Sequence, residues 1–141
     1  SWKMAADALA RGNARAFQND MRPWTAEEFS TLLASPHSHL IQSDHAFALI
    51  RVVADEAELL TLATDPDHRR QGLARTVLEA LETRARQAGA VTIFLEVSEA
   101  NTPARALYAS AGYHETARRP DYYKTPTGQR IDALILTKSL S

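Results

Sequence analysis

Three places in the chain carry groups able to do chemistry. The first is Arg69-Arg70-Gln71-Gly72, where the apolar stretch Leu59 to Ala63 and the turn residues Asp65-Pro66-Asp67 give way directly to apolar positions at helical spacing, Leu73, Val77, Leu78 and Leu81. A helix starting there leaves its first backbone N–H groups without internal partners, and glycine lets a ligand approach the backbone closely. Such an end attracts anions and matches a pyrophosphate. Equally, Gly72 serves as a tight strand-to-helix turn beside two solvated arginines. The second place is Glu96, a carboxylate inside the apolar run Ile93-Phe94-Leu95-Glu96-Val97. Burial of a carboxylate is costly, so this one is expected to be partnered, hydrated or raised in pKa, and a structural salt bridge is the plainest way to hold it. The third is Tyr108, in Arg105-Ala-Leu-Tyr-Ala-Ser-Ala-Gly-Tyr113. Read from its own segment, its ring is expected to fill core volume with the hydroxyl tied to a partner.

The elements that must position these groups follow from periodicity and capping. Ala5, Leu9 and neighbouring alanines favour a first helix to about Phe17, and Pro23-Trp24 breaks the chain. Thr25 with Glu28 has capping-box spacing and predicts a helix over 25–34, ended by Ser35-Pro36. Strands are expected at His39 to Ile41, Phe47 to Val53 and Glu58 to Thr64, the first two joined at Ser43-Asp44-His45. The long helix from Leu73 stops near Gly89. A strand over Thr92 to Val97 precedes a helix opened by Asn101-Thr102-Pro103 and stopped by Gly112. Two closing strands, Tyr113 to Arg118 and Ile131 to Lys138, are linked through Pro126 and Gly128. This order predicts a mixed α/β sheet whose strand–long helix–strand unit is a right-handed parallel crossover. Thr64 and Val97 then share one edge of the sheet beside the start of the long helix, where ligands of such sheets bind.

Composition narrows the chemistry. A chain of 141 residues, 45% hydrophobic and 23% charged, is expected to form one domain over 1–141. No apolar run is long enough to cross a bilayer, and Ser1-Trp2-Lys3 opens onto no signal-peptide core, so a soluble cytoplasmic protein is expected. The absence of cysteine excludes disulfides, thiolate metal sites and a thiol nucleophile. A net charge of −1 speaks against a dedicated nucleic-acid binder. Neither the three-glycine dinucleotide fingerprint nor the phosphate loop ending in Gly-Lys-Ser/Thr is present. His37 and His39 lack a convincing third ligand, so no metal is expected, and His68 lies close enough to the glycine turn to tune a bound phosphate. Trp24 and Phe29 either border a groove or fill the core.

His68-Arg-Arg-Gln-Gly-Leu-Ala-Arg75 resembles the Arg/Gln-x-x-Gly-x-Gly/Ala signature of the GCN5-related N-acetyltransferases, with Arg69, Gly72 and Ala74 at the signature positions. Four further stretches resemble the ribosomal-protein-alanine N-acetyltransferase branch in order and spacing: RPWTAEEF (22–29), DEAELLTLATDPDHRRQGLA (55–74), FLEVSEANTPARALYASAGY (94–113) and RRPDYYKTPTGQRIDALIL (118–136). The resemblance implies a mostly antiparallel sheet with a central splayed parallel pair and flanking helices. The chain starts at its first helix, so the sheet is expected to lack the family's first strand.

The resemblance further implies acetyl-coenzyme A as cosubstrate, its pyrophosphate on the N–H groups of Arg70, Gln71, Gly72, Leu73 and Ala74. Its pantetheine arm would lie along Leu62, Ala63 and Thr64, and Asn101 would help to position the arm while capping a helix. Glu96 corresponds to the general base and Tyr108 to the acid that protonates the departing thiolate, next to the cofactor. The acceptor is an amine attacking directly in a ternary complex, by the branch the N-terminal α-amine of a ribosomal protein. A lysine or small-molecule amine acetyltransferase and a non-catalytic coenzyme A-binding module are the alternatives. A monomer or weak homodimer is expected, with no nucleic-acid or membrane partner. Arg118-Arg119 and Tyr122-Tyr123 match a tail pattern that closes over the acceptor side, although Pro120-Asp121 lengthens the spacer between the pairs. Asp55, Glu56, Glu58 and Asp121 are expected to form a negative rim for a basic acceptor.

Overall fold

The computed structural model describes residues 25–65, 67 and 72–141. Its first element is set by a threonine. Thr25 Oγ1 accepts the Glu28 N–H and the Glu28 carboxylate accepts the Thr25 N–H, each at 3.1 Å, closing the capping box that opens helix α1 (Ala26–Ala34). Phe29 on this helix is fully buried and meets Phe47 edge-on, ring centroids 5.9 Å apart, so it is a core residue and not a groove wall. The helix expected up to about Phe17, any strand before it, and Trp24 lie outside the described residues.

Six strands follow among the described residues: β1 (Ser38–Gln42), β2 (Ala46–Val53), β3 (Glu56–Thr64), β4 (Thr92–Ser98), β5 (His114–Lys124) and β6 (Arg130–Ser139). Helix α2 (Leu73–Gln87) joins β3 to β4, and α3 (Thr102–Ser110) joins β4 to β5. The sheet order is β1-β2-β3-β4-β6-β5, with only β3 and β4 parallel. The parallel pairing of the strands on either side of the long helix and the mixed sheet are as the sequence predicts. β5 runs on to Lys124 where a shorter strand to Arg118 was expected, which makes the Arg118–Tyr123 segment part of the sheet.

Apolar alternation divides the core between the two faces. Ile50, Leu59, Ile93, Leu95, Leu134 and Leu136 pack with Val77, Leu78 and Leu81 of α2 and with Tyr108 of α3, while Phe47, Leu49 and Ala63 pack under Phe29 of α1. The switch of face along β3 comes from a β-bulge: Leu49 pairs Thr61 and Ile50 pairs Leu59, leaving Leu60 over. Gly89, at φ 100°, turns the chain out of α2 as the sequence predicts.

Two polar groups tie α2 to the sheet. Glu82, 5% exposed, accepts hydrogen bonds from the Tyr113 hydroxyl and the Lys138 ammonium, both at 2.8 Å. Arg84 Nη1 lies 3.4 Å from Nδ1 of His39 on β1. Burial, and then the charge of Arg84, hold the His39 imidazole below its usual value near 6.5. A depressed pKa means that this site's stability is fully present above about 6.5, where the unfolded chain also keeps the ring neutral, and is lost as pH falls through the lower folded value. We therefore expect the melting temperature of the wild-type protein to drop between pH 7.5 and 5 more steeply than that of His39→Gln. Parallel curves would assign the loss to other groups.

Candidate active site

The parallel pairing of β3 and β4 runs from Glu56↔Thr92 to Leu59↔Leu95 and stops there. Beyond it, Leu62, Ala63 and Thr64 stay paired to Ala48, Phe47 and Ala46 of β2, while Glu96, Val97 and Ser98 stay paired to Ile135, Leu134 and Ala133 of β6. Among the described residues, the two inner edges face each other with no strand between them. Backbone groups on such an edge are open to an extended, amide-bearing chain, and the Leu60 bulge at the mouth of the splay adds backbone released from the ladder. The parallel arrangement puts Thr64 and Val97 at the same end, as expected from the sequence.

The start of α2 belongs to that end too. Gly72 is its N-cap in the left-handed region, φ 74°, with no side chain capping the first turn and no acidic residue within it. A Cβ built there meets nothing within 4 Å. The N–H groups of Leu73 and Ala74 thus open a helix of 15 residues whose positive dipole end is not neutralised by its own side chains. Arg69, Arg70, Gln71 and His68 lie outside the described residues.

Glu96 is 30% exposed and both its oxygens are engaged. Oε2 accepts the Tyr123 hydroxyl at 2.8 Å, and Oε1 lies 3.5 Å from Arg119 Nε. The carboxylate is thus partnered, and it keeps some contact with solvent. The partners come from β5, across β6, and their register depends on a bulge. Arg119 pairs Ala133 and Tyr123 pairs Ile131, so Pro120, Asp121 and Tyr122 stand opposite Asp132 alone. Asp121 takes φ 54°, and its N–H is caught by Asp132 Oδ1 at 2.9 Å. The longer spacer is thereby absorbed without displacing either side chain from the Glu96 side. Arg118 anchors the same segment, bonded to Glu99, to Asp132 at 3.0 Å and to Glu115 at 3.4 Å. The bond from Asp121, followed by that from Arg118, holds Asp132 below the usual carboxylate range.

Tyr108 is 7% exposed, its ring edge-on to Tyr113 with centroids 5.5 Å apart. Among the described residues its hydroxyl makes no hydrogen bond, and it is not one of the fully enclosed polar atoms left without a partner. Burial raises its pKa well above that of a free phenol, and the proton stays on. Tyr108 and Glu96 are not bonded to each other. Asn101 Oδ1 accepts the Ala104 N–H at 3.2 Å, capping α3 as expected. His37 sits in the turn before β1 and His39 against Arg84, not side by side on one strand, and no group of three metal-binding side chains occurs among the described residues. Asp55, Glu56 and Glu58 stand where the parallel pair begins, at the far end from the splay, and Glu58 pairs Arg51. They do not form the expected rim.

A parallel pair that opens into a splay, with an uncapped, glycine-led helix start at its mouth, is the scaffold of an acetyl-CoA-dependent N-acetyltransferase, and the chain belongs to the acetyltransferase (GNAT) family, whose profile matches residues 9–113. Within that family it is similar to the ribosomal protein bS18-alanine N-acetyltransferase of Escherichia coli strain K12, 38% identical over 123 residues covering 84% of this chain and 82% of that protein. The counterpart from Salmonella typhimurium strain LT2 is 45% identical over 96 residues, 68% of this chain and 64% of that protein. The crystal structure of the ribosomal-protein-S18-alanine N-acetyltransferase from Escherichia coli superposes with a TM-score of 0.85 at 34% identity, covering 100% of this chain and 90% of that one. An acetyltransferase of Salmonella typhimurium solved with its cofactor acetyl-CoA shares the fold at 19% identity, TM-score 0.77, over 98% and 90% of the two chains.

Sequence reasoning singled out Glu96 but not what holds it. The available signal was the Tyr122-Tyr123 pair, whose second tyrosine is the partner.

Proposed function

We propose that this chain transfers the acetyl group of acetyl-CoA to the N-terminal α-amine of a ribosomal protein. The observation that supports the acceptor is the likeness, over most of both chains, to enzymes named as alanine N-acetyltransferases of ribosomal protein bS18. In this reading the N–H groups at the start of α2, from Arg70 to Ala74 with Arg69 beside them, hold the pyrophosphate. The free edge at Leu62, Ala63 and Thr64 pairs with the pantetheine arm, and Asn101 adds to its capping role a contact that positions the arm. Backbone N–H groups near the Leu60 bulge stabilise the oxyanion. Glu96 takes the proton of the attacking amine, the new C–N bond forms as the C–S bond breaks, and Tyr108 returns a proton to the departing thiolate. Such an acceptor places the reaction in the cytoplasm.

An α-amine near pKa ~8 is far easier to deprotonate at neutral pH than a lysine near ~10.4, which suits a single carboxylate base. A splayed groove also leaves little room beside the reacting amine, which favours a small first residue. Basic peptides beginning with Ala or Ser are therefore expected to outpace their Leu- and Glu-starting counterparts, N-blocked lysine peptides and polyamines, with free thiol release as the readout. The advantage of a basic sequence shrinks as salt rises. Preference for the blocked lysine peptides or polyamines would reassign the acceptor. Binding of acetyl-CoA without thiol release from any amine would mean a non-catalytic module.

A further inference from the structure

The two oxygens of Glu96 are held unequally. Tyr123 donates to Oε2 over 2.8 Å, a full hydrogen bond from a half-buried ring. Arg119 approaches Oε1 only to 3.5 Å, is 57% exposed, and lies over the Tyr122 ring with 5.2 Å to its centroid. An incoming ammonium needs an acceptor oxygen on Glu96, and the weakly held one is Oε1. We propose that Tyr123 is the positioning residue that orients the base, and that Arg119 is a stand-in cation keeping the seat of the acceptor's ammonium. This rests on Glu96 being the base.

The division of labour follows from what each group can do. A phenolic hydroxyl has one proton to give, so Tyr123 keeps its bond to Oε2 and holds the carboxylate with Oε1 open to the ammonium. Oε1 then receives the ammonium proton, leaving a neutral amine whose lone pair forms the C–N bond. Arg119 cannot stay, because two cations at one carboxylate oxygen repel. Its exposure gives it somewhere to go, and the Tyr122 face gives it somewhere to rest. An exposed ion pair is weak and readily exchanged. The Asp121 bulge, pinned by Asp132, puts both side chains within reach of the same carboxylate.

Steady-state kinetics with an Ala-starting basic peptide separate the two roles. Tyr123→Phe keeps the ring and is expected to lower kcat about tenfold or more, with melting temperature and acetyl-CoA Kd unchanged. Arg119→Gln is expected to lower the acceptor KM about two- to fivefold, because the seat no longer has to be vacated. Wild-type kcat in Tyr123→Phe would overturn the proposal, as would a kcat loss matched by equal losses of stability and cofactor binding. A raised acceptor KM in Arg119→Gln would overturn the stand-in role. Glu96→Gln run alongside distinguishes the failures: normal turnover in that variant removes the base assignment and this inference together. Slow Glu96→Gln beside a normal Tyr123→Phe removes only the inference.

Discussion

Glu96→Gln is expected to lower turnover at neutral pH about a hundredfold or more while acetyl-CoA binds as before. The amide matches the carboxylate in shape and still accepts the Tyr123 hydroxyl, so the splay and its walls are unaltered. What disappears is a group able to take the proton of the nucleophile. The loss has a pH signature that comes from the acceptor. Below about pH 8 an α-amine is mostly protonated and depends on the base, whereas above it the free amine is already abundant. The gap between wild type and variant should therefore narrow as pH rises from 6.5 to 9. A gap of constant size would mean that Glu96 acts in some way other than proton acceptance. Unchanged turnover across the range would place the base elsewhere. Calorimetric titration with acetyl-CoA provides the control for binding.

Glu82→Ala is expected to have the largest effect on stability, about 3–5 kcal/mol, or a fall in melting temperature of roughly 10–17 °C for a chain of this size. Glu82 is 5% exposed, and its removal leaves a buried tyrosine hydroxyl without an acceptor and strands the Lys138 ammonium near the apolar underside of α2. Lys138 is itself 22% exposed and relaxes partly toward water, which pulls the cost toward the lower end of the range. Glu82→Gln should cost less, since the shape is retained and one acceptor survives. Replacing the whole network, Glu82→Leu with Tyr113→Phe and Lys138→Met, should recover most of the loss because no unpaired polar group remains. Denaturant titrations of the three variants decide this. If the triple variant is less stable than Glu82→Ala, the network contributes more than the satisfaction of its own members. Tyr113 also marks the alkaline limit. Burial first, and then its bond to Glu82, push its pKa up, so its contribution is complete below about pH 10 and is lost as pH rises through the higher folded value.

Much of the architecture was legible because its causes are local. Thr25 and Glu28 specify a helix start with their own hydrogen bonds, Gly72 and Gly89 mark conformations other residues avoid, and three-and-four spacing from Leu73 specifies which face of α2 is buried. Alternating and continuous apolar runs located the strands, and a strand–helix–strand order has essentially one handed solution. From these followed the parallel pair, its shared carboxyl end and the uncapped helix start beside it. Glu96 stood out for the same reason: a carboxylate in an apolar strand is a local anomaly.

Its partners are not local. Glu96 and Tyr123 are 27 positions apart, and Glu82 and Lys138 are 56 apart. They meet because β6 inserts between β4 and β5, an ordering that no single segment encodes. The lengthened Pro120-Asp121 spacer looked like a departure that would disturb the acceptor side, yet the sheet absorbs it as a bulge because Asp132 on the neighbouring strand supplies the acceptor for Asp121. The acidic rim failed in the opposite way: Asp55, Glu56 and Glu58 have suitable charge but stand where the parallel pair begins, and strand direction alone removes them from the splay. Residue types and spacing determined the elements and the anomalous carboxylate, since those depend on neighbours within a turn or a strand. The tail pattern brought Arg119 and Tyr123 to the acceptor side, but that these two hold the carboxylate was decided only by the tertiary structure, since strand order and register set which residues meet across β6.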